Sequence, residues 1–313
     1  MTLIINHVMS AEISSGIFSD LLSYYKSFCD RDIKIIESVK PLEEADIYHY
    51  HRPHLESRLN KNSVVTVHHD LNDTDKWLSY EKFHDRYAEA STIFCLNKTQ
   101  EKILHSKGLT HTRIIPHGYN KKIFNNIVTP KIIKDKVNIG VISKRYGRKV
   151  KGEAYLLELY KRLDSDRFKF IFVGEDRSIS SWKAREYGFE TECFERLPYS
   201  CFSNLYSNLN FLLVTSLYEG GPANIPEAIV SGTPIISTPI GMSNDYIQHG
   251  VNGILLTNNV DHDAEVISMH SEEVNYKRLS YGAFKQQRNA KTWEEVITMV
   301  SNEYRKLIIE HSK

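Results

Sequence analysis

The chain has 313 residues, and at about 150 residues per domain this length predicts two domains, each large enough for its own hydrophobic core. Hydrophobic residues make up 41% and charged residues 25%, which excludes a disordered, fibrous or collagen-like chain. Lys and Arg number 40 against 39 Asp and Glu, a net charge of +1, so no overall field draws the protein to nucleic acid or to an anionic membrane. Any electrostatic recognition must therefore be local.

The opening segment lacks both a basic leader and a sustained apolar run, so we expect a strand there rather than a signal peptide. No stretch approaches the roughly 18 apolar residues of a bilayer span, which predicts a soluble protein. The four cysteines include no C-x-x-C pair and hence no metal-ligand spacing. These features favour a reduced, cytoplasmic protein, with a peripheral location at the inner face of the membrane as the alternative.

Short apolar runs alternate with longer segments of helical period along the whole chain. This alternation predicts an α/β architecture of parallel sheets covered by helices, in two doubly wound Rossmann-like domains. The candidate strands of the first half are residues 3–8, 33–36, 47–50, 64–67, 93–96 and 114–115. Those of the second half are residues 137–142, 168–173, 192–194, 211–214, 234–237 and 253–255. A polar, Lys-rich stretch without clear period, residues 121–136, is the candidate linker.

The end of the chain has a clear helical period. Apolar residues recur at helical spacing from Trp293 to Ile308, over about four turns, so this stripe must be buried against another element. The predicted organisation is an N-terminal domain over residues 1–130, a second domain over residues 131–290 and a terminal helix over residues 291–313.

The densest chemical signal is SLYEGGPANIPEA at residues 216–228, called here the acidic segment, which follows a candidate strand and enters a helix. In an open α/β sheet, ligands bind in the loops after the carboxyl ends of the strands. Gly220 and Gly221 permit a close backbone approach, and the N–H groups that open the helix suit an anionic or hydroxyl-rich ligand. Glu219 and Glu227 add two carboxylates that suit the vicinal hydroxyls of a sugar or ribose. The structural alternative is a solvated Glu219 and a Glu227 favoured by the helix dipole.

A second cluster, residues 143–152, follows the first candidate strand of the second half and is called here the basic loop. At the carboxyl end of a strand, clustered cations can neutralise a pyrophosphate and stabilise a leaving diphosphate where no metal does so. A solvated basic loop is the alternative. The loop contains five cations and no acid: Lys144, Arg145, Arg148, Lys149 and Lys151.

Together these segments resemble the donor half of retaining glycosyltransferases with the GT-B fold, in family 4 of the glycosyl transferases group 1. The resemblance implies two Rossmann-like domains with an interdomain cleft and a C-terminal helix that crosses back to the first domain. The matching segments are the acidic segment, GTPIISTPIG at 232–241, GVNG at 250–253, Arg145 with Lys151 and Gly152, the strand 168–173 with Gly174, and IPHGYNKKIF at 115–124.

The resemblance implies a role for each matching residue. Arg145 and Lys151 would bind the diphosphate of the donor and stabilise it as the leaving group. Glu219 would hold hydroxyls of the transferred sugar, and Glu227 would bind the ribose of the nucleotide. The other implied donor contacts are Leu197 beside the base, through its backbone, and the residues around the sugar, Gly221, Pro222, Ala223 and Asn224.

The first half matches the family more thinly. Gly16 is the one glycine where the family has a glycine-rich loop that approaches the phosphates and the acceptor. His68, in the segment VVTVHHD, resembles a histidine that the family places near the reacting sugar carbon; His69 beside it leaves the register open. A hydrogen-bonded structural histidine is the alternative reading. The predicted catalytic residues are His68, Arg145, Lys151 and Glu219.

The resemblance implies transfer of a hexose or pentose from a nucleotide-diphosphate sugar to an acceptor hydroxyl, with retention of configuration and with neither cofactor nor metal. Acid pairs such as Asp73 and Asp75 lie where acids are expected without a metal. The first-ranked acceptor is a saccharide or lipid-linked saccharide of a bacterial surface glycan or lipopolysaccharide, with peripheral membrane contact. The alternatives are a protein or modified nucleic-acid base as acceptor, although net charge disfavours nucleic acid, a nucleotide-sugar epimerase, and a non-catalytic nucleotide-sugar-binding subunit.

Overall fold

The computed structural model of the protein describes residues 2–9 and 16–311. The chain divides into two compact units. Unit 1 comprises residues 1–118 and 291–313, and unit 2 comprises residues 119–290. The described helices include none with the length and apolarity that crossing a bilayer requires.

Unit 1 contains a parallel sheet of six strands in the order β2-β1-β3-β4-β5-β6. Its strands are β1 (Leu3–Val8), β2 (Ile33–Ser38), β3 (Ile47–Tyr50), β4 (Ser63–Val67), β5 (Thr92–Cys95) and β6 (Thr112–Ile114). The helices between them are α1 (Gly16–Phe28), α2 (Tyr80–Glu89) and α3 (Lys98–Ser106), with a single 3₁₀ turn at Pro53–Leu55. All six predicted runs correspond to strands: β3 and β4 are buried throughout, whereas the edge strands β2 and β6 keep exposed residues.

Unit 2 contains a second parallel sheet, in the order β12-β11-β10-β7-β8-β9. Its strands are β7 (Val137–Ile142), β8 (Phe168–Val173), β9 (Glu190–Phe194), β10 (Phe211–Val214), β11 (Ile235–Ser237) and β12 (Gly253–Leu255). Its helices are α4 (Glu153–Tyr160), α5 (Arg177–Glu186), α6 (Phe202–Ser207), α7 (Asn224–Val230), α8 (Ser243–Tyr246), α9 (Val260–His270) and α10 (Glu273–Gln286).

Alternate side chains of β8 show that both faces of this second sheet are covered. Phe168, Phe170 and Phe172 pack in one buried cluster, whereas Ile171 and Val173 pack in another. Since successive side chains of a strand point to opposite faces, each face supports its own core. The predicted doubly wound α/β architecture is confirmed.

The last helix, α11 (Trp293–His311), belongs to unit 1. Its apolar stripe is buried in the cluster that contains Ile5 and Tyr25 of unit 1. Trp293 stacks on Tyr24 at a ring-centroid distance of 4.9 Å. The predicted terminal helix therefore returns to the first part of the chain, where its apolar stripe is buried.

The division between the units differs from the expected boundary at residue 130. Residues 119–130 fall in unit 2. Phe124 is buried in a unit 2 cluster together with Tyr206, and Tyr119 and Ile123 pack against the same cluster. Residues 121–136 form neither helix nor strand, as the linker reading predicts, but the aromatic side chain of Phe124 anchors the start of this stretch to unit 2.

Candidate functional site

The residues predicted to bind the donor gather at the carboxyl edge of the unit 2 sheet. β7 and β10 are neighbours there, so the basic loop and the acidic segment emerge side by side. The Thr215 hydroxyl donates to the Lys151 carbonyl over 2.7 Å, and the Leu217 N–H donates to the Val150 carbonyl over 2.8 Å. Strand order thus joins two loops that lie 64 residues apart in the sequence.

Gly152 sets how closely these loops approach. Its φ of +73° is in the left-handed region, and a Cβ at this position would overlap the Thr215 carbonyl oxygen. Only glycine fits both the conformation and the space. Because Lys151 precedes it directly, this contact also fixes the backbone from which the Lys151 side chain extends.

The Lys151 ammonium forms an ion pair with the Glu219 carboxylate, and each side chain is only 13% exposed. The Ser216 hydroxyl donates to the same Glu219 oxygen over 2.8 Å. Charges with so little exposure are screened less than surface charges. Two of the predicted catalytic residues are therefore in direct contact.

The remaining cations of the basic loop have different surroundings. Arg145 is half-buried, and its backbone N–H donates to the Glu175 carbonyl over 3.0 Å. Lys144 pairs with the Glu175 carboxylate over 2.5 Å. The basic loop contains no acid of its own, but the loop after β8 supplies one in Glu175. Lys151 is thus the cation of the basic loop that contacts the acidic segment, whereas the backbone of Arg145 contacts the loop after β8.

Arg177, the first residue of α5, is a buried cation that sequence reasoning missed. Its guanidinium donates to the Ser143 carbonyl over 2.6 Å and to the Ser143 hydroxyl over 2.7 Å. Because Ser143 begins the basic loop, Arg177 holds that loop at the end of β7. The two residues lie 34 positions apart with no local pattern to connect them.

The run from Gly221 to Asn224 leads into α7 beside Glu219. The Asn224 Nδ2 donates to the Ile142 carbonyl at the end of β7 over 2.9 Å. Its Oδ1 is buried and has no hydrogen-bond partner among the described residues. Pro222 has no N–H, so the backbone donors predicted for this run reduce to those of Gly221, Ala223 and Asn224.

Glu227 lies one turn into α7 and is only 6% exposed. Tyr199 donates its hydroxyl to Oε1 over 2.8 Å, and Tyr206 donates to Oε2 over 3.0 Å. Burial raises the pKa of Glu227 to about 7, although the hydrogen bonds from the two tyrosine hydroxyls lower it. Leu197 is half-buried and packs against the cluster that contains Tyr206. The sequence pointed to Glu227 but not to its two tyrosine partners.

In unit 1, the structure distinguishes the two adjacent histidines that follow β4. His69 is buried, stacks on Phe83 at 4.0 Å and lies 2.8 Å from the Tyr87 hydroxyl through Nε2. His68 is half-buried and contacts the Phe18 ring edge-on at 4.9 Å. His69 is therefore part of the core, and His68 is the one of the pair at the carboxyl edge of the sheet.

His68 is also the outer end of a hydrogen-bonded series of side chains that runs into the core, called here the histidine row. His68 Nε2 lies 2.9 Å from His51 Nδ1, and His51 Nε2 lies 2.8 Å from His7 Nδ1. His7 Nε2 lies 3.4 Å from the hydroxyl of Tyr304 on α11. Burial lowers the pKa of His51 to about 3 and that of His68 and His7 well below the usual value. The row is therefore neutral at neutral pH.

The inner end of the histidine row continues through His49. Its Nδ1 lies 2.6 Å from the Tyr304 hydroxyl, and its Nε2 lies 2.7 Å from Thr66 Oγ1. His7 and His49 are register partners on β1 and β3. The alternation of His49 and His51 along β3 is visible in the sequence. It does not indicate that β1, which contains His7, is the neighbouring strand.

Three members of this row, His7, His49 and His51, place ring nitrogens within 4.8 Å of one another. The His49 and His51 rings stack at 4.5 Å with an interplanar angle of 22°, and His7 and His51 stack at 5.1 Å with 23°. His7 Nδ1 and His51 Nε2 already lie 2.8 Å apart, and the two ring nitrogens of His49 contact the hydroxyls of Tyr304 and Thr66. The geometry fits hydrogen bonding between imidazoles, and we derive no metal chemistry from it.

Gly16 is the first residue of α1. The preceding residues of the predicted phosphate-approaching loop, 10–15, lie outside the described residues, so Gly16 stays a prediction. A cavity of about 860 Å³ in unit 2 is a different feature, lined by Lys131, Asn138 and Asn210 among others. It lies at the amino ends of β7 and β10, at the opposite sheet edge from Lys151 and Glu219.

The chain matches the family described as glycosyl transferases group 1 over residues 125–286, just over half of its length. A curated relative, the lipopolysaccharide 1,6-galactosyltransferase of Salmonella typhimurium (strain LT2), is 23% identical over 194 residues, which cover 58% of this chain and 53% of the relative. The chain thus matches about half the length of that relative.

The fold is shared with solved structures, among them those of a sucrose-phosphate synthase and of Anabaena Alr3699/HepE. The sucrose-phosphate synthase of Thermosynechococcus elongatus superposes with a TM-score of 0.75 at 14% identity and covers 98% of this chain and 100% of its own. Anabaena Alr3699/HepE in complex with UDP-glucose superposes with a TM-score of 0.72 at 14% identity and covers 97% and 100%. At these identities the likeness establishes the GT-B architecture alone.

Proposed function

Because the chain belongs to the glycosyl transferases group 1, we propose that it transfers a hexose or pentose from a nucleotide-diphosphate sugar to an acceptor hydroxyl, in the retaining and metal-independent manner of family 4. The observation that carries this proposal is the pairing of Lys151 with Glu219 at the carboxyl edge of the unit 2 sheet. A cation for a leaving diphosphate and a carboxylate for sugar hydroxyls stand next to each other there.

Donor binding would exchange the partners of this ion pair. The diphosphate takes charge-assisted hydrogen bonds from Lys151 and Arg145, and Glu219 then accepts from hydroxyls of the sugar. As the bond to the sugar breaks, negative charge grows on the diphosphate, and the two cations stabilise it where it develops. No cofactor and no covalent nucleophile are required, since catalysis then rests on positioning and charge stabilisation.

Glu227 is proposed to hold the ribose. Its two oxygens each accept from one tyrosine, and a carboxylate has further lone pairs that can accept from ribose hydroxyls. Tyr206 is fully buried and fixes the carboxylate, whereas Tyr199 is 36% exposed at the edge where the base would lie. Leu197, next to this tyrosine, is proposed to contact the base, and Gly221, Ala223 and Asn224 to contact the sugar.

The proposed acceptor is a saccharide or lipid-linked saccharide in synthesis of a bacterial surface glycan or lipopolysaccharide. The curated relative named for a lipopolysaccharide galactosyltransferase supports this assignment. All four cysteines carry free thiols, which supports a reducing, cytoplasmic location. Peripheral contact with a membrane is part of the same proposal.

The test is a panel of nucleotide sugars, starting with UDP-glucose because one structural neighbour binds it. Thermal stabilisation and slow release of nucleoside diphosphate are measured for the wild type, Glu227→Ala and the exposed control Glu265→Ala. One donor should stabilise the wild type and the control, and both responses should be lost in Glu227→Ala. Stabilisation without any hydrolysis or transfer would favour a non-catalytic binding subunit.

A further inference from the structure

Arg52 is a cation of unit 1 with no acidic partner. It directly follows the His51 of the histidine row, at the carboxyl edge of β3, and is half-buried. Its Nε is buried without a hydrogen-bond partner, and no carboxylate of residues 2–9 and 16–311 forms an ion pair with it. Burial lowers the pKa of Arg52, and no carboxylate opposes this effect. A partly buried charge without a counterion is costly, which points to a ligand.

Phe18 connects this cation to His68. The Arg52 guanidinium lies over the Phe18 ring at 5.1 Å from its centroid, and the His68 ring lies 4.9 Å from the same centroid. Nε2 of His68 is hydrogen-bonded to Nδ1 of His51. The other ring nitrogen of His68, Nδ1, has no protein partner in the described part of the chain. The Arg52 guanidinium and the His68 imidazole are therefore both neighbours of the Phe18 ring, and both have hydrogen-bonding capacity left.

Asp70 follows His69 in the sequence, but no carboxylate is among the groups that act on Arg52. His54 lies near Arg52, and its Nδ1 is buried without a partner among the described residues. Lys82 also acts on His54 as a positive neighbour. Asp73 raises the pKa of His69, although burial lowers that pKa by more. Asp73 has no such effect on Arg52. The local field therefore favours a negatively charged ligand.

We propose that Arg52 and His68 bind an anionic group, a phosphate or a carboxylate, carried by the saccharide acceptor. The guanidinium supplies a two-pronged donor that matches either group. His68 supplies one more donor when its proton is on Nδ1. The site would select for acceptors that carry such a group. This role in acceptor specificity rests on the proposed function, whereas the binding of an anion by Arg52 and His68 does not.

The histidine row gives His68 this donor role without a charge. If a ligand accepts from His68 Nδ1–H, then Nε2 must accept from His51 Nδ1–H, and His51 Nε2 must accept from His7 Nδ1–H. The same direction continues through the hydroxyl of Tyr304 to His49 and Thr66, so every link contains one proton and no group is charged. The neutral row can therefore present a donor at the sheet edge.

The experiment is calorimetric titration of the full-length protein with glucose 6-phosphate and with glucuronate, and with glucose as the neutral control. A Lys151→Ala background removes the diphosphate site proposed in unit 2. Arg52→Gln, Arg52→Lys and the exposed control Arg58→Gln are compared in that background, with thermal unfolding as the check of the fold. At least one anionic sugar should bind, glucose should not, and Arg52→Gln should raise the dissociation constant at least tenfold.

Arg52→Lys should retain only part of the binding, since an ammonium keeps the charge but not the two-pronged donor, and Arg58→Gln should retain all of it. The proposal is overturned if Arg52→Gln binds like the background protein, if glucose binds as well as the anionic sugars, or if neither sugar binds at 20 mM, a concentration of the order at which weak sites fill. Binding only to vesicles that contain phosphatidylglycerol would also overturn it. Donor hydrolysis is assayed separately on the wild type, so failure of the proposed function leaves the titration result intact.

Discussion

Tyr206 donates its hydroxyl to Oε2 of Glu227 over 3.0 Å, and neither side chain is exposed beyond 6%. Through this contact a buried aromatic residue of α6 orients the carboxylate of α7 that is proposed to hold the ribose. The pair therefore connects the packing of unit 2 to the chemistry proposed at its carboxyl edge.

The pKa of Glu227 predicts an unusual pH dependence of stability. Its value of about 7 in the folded protein exceeds the ordinary 4.5, so between these values the folded state binds more protons than the unfolded state. Stability therefore falls as pH rises from 4.5 to 7, by about 3 kcal/mol in total at about 1.4 kcal/mol per unit. Glu227→Gln should remove this loss. The free energy of unfolding of the variant, measured in urea, should therefore rise relative to that of the wild type between pH 5 and 8. An unchanged difference between the two proteins would contradict the assignment.

Lys151→Ala should lower donor turnover by about two to three orders of magnitude, since the residue stabilises charge that develops on the leaving diphosphate. Glu219→Ala should lower turnover to a similar extent, and the double variant should cost less than the two losses multiplied, because the residues contact each other. Initial-rate kinetics give the values. Lys136→Ala, at the opposite edge of the sheet, is the matched control and should keep its turnover; near-normal rates in both single variants would refute the site.

Gly152→Ala should destabilise unit 2 and weaken donor binding together. The substitution forces an L residue into φ +73° and overlaps the Thr215 carbonyl, so the two loops must separate. Gly147→Ala is the control in the same loop, because a Cβ there meets nothing within 4 Å. Thermal unfolding and nucleotide titration measure both effects. Equal behaviour of the two variants would show that loop contact does not position Lys151.

The histidine row predicts acid sensitivity of unit 1. Burial lowers the pKa of His7, His49, His51 and His68, so the stability they contribute is complete above pH 6.5 and is lost as pH falls below it. Each neutral histidine contributes up to about 1.4 kcal/mol per pH unit to this slope. The protection factors of β1 and β3 amides, which correct hydrogen exchange for its intrinsic pH dependence, should therefore fall steeply from pH 7 to pH 5.

His7→Gln should reduce the number of protons taken up on unfolding, and hence the pH dependence of stability, by about one proton. His84→Gln, at an exposed position, should leave this pH dependence unchanged. A slope that is the same in the wild type and in His7→Gln would mean that the buried row does not control the acid response. The variant also breaks the link to His51, so its stability at pH 7 should be lower by about 1–3 kcal/mol.

The strands and the site motifs could be predicted from the sequence because both are local. The apolar runs at Val137–Ile142 and Phe168–Val173 have the composition of strands buried on both faces, and their bounds agree with the structure. The loop after Val137–Ile142 contains Arg145 and Lys151, and the loop after the third such run, Phe211–Val214, contains Glu219. The rule that ligands bind after strand ends needs no tertiary information.

Only the tertiary structure decided which of these groups meet. His49 reaches Tyr304 across 255 residues, Glu227 is held by Tyr199 and Tyr206 from a preceding helical segment, and Arg177 holds Ser143 from the next strand's loop. Such pairs depend on strand order and on where α11 packs. Periodicity in a sequence encodes the face that a residue occupies within its own element, but the neighbour across that face is set by how the elements assemble.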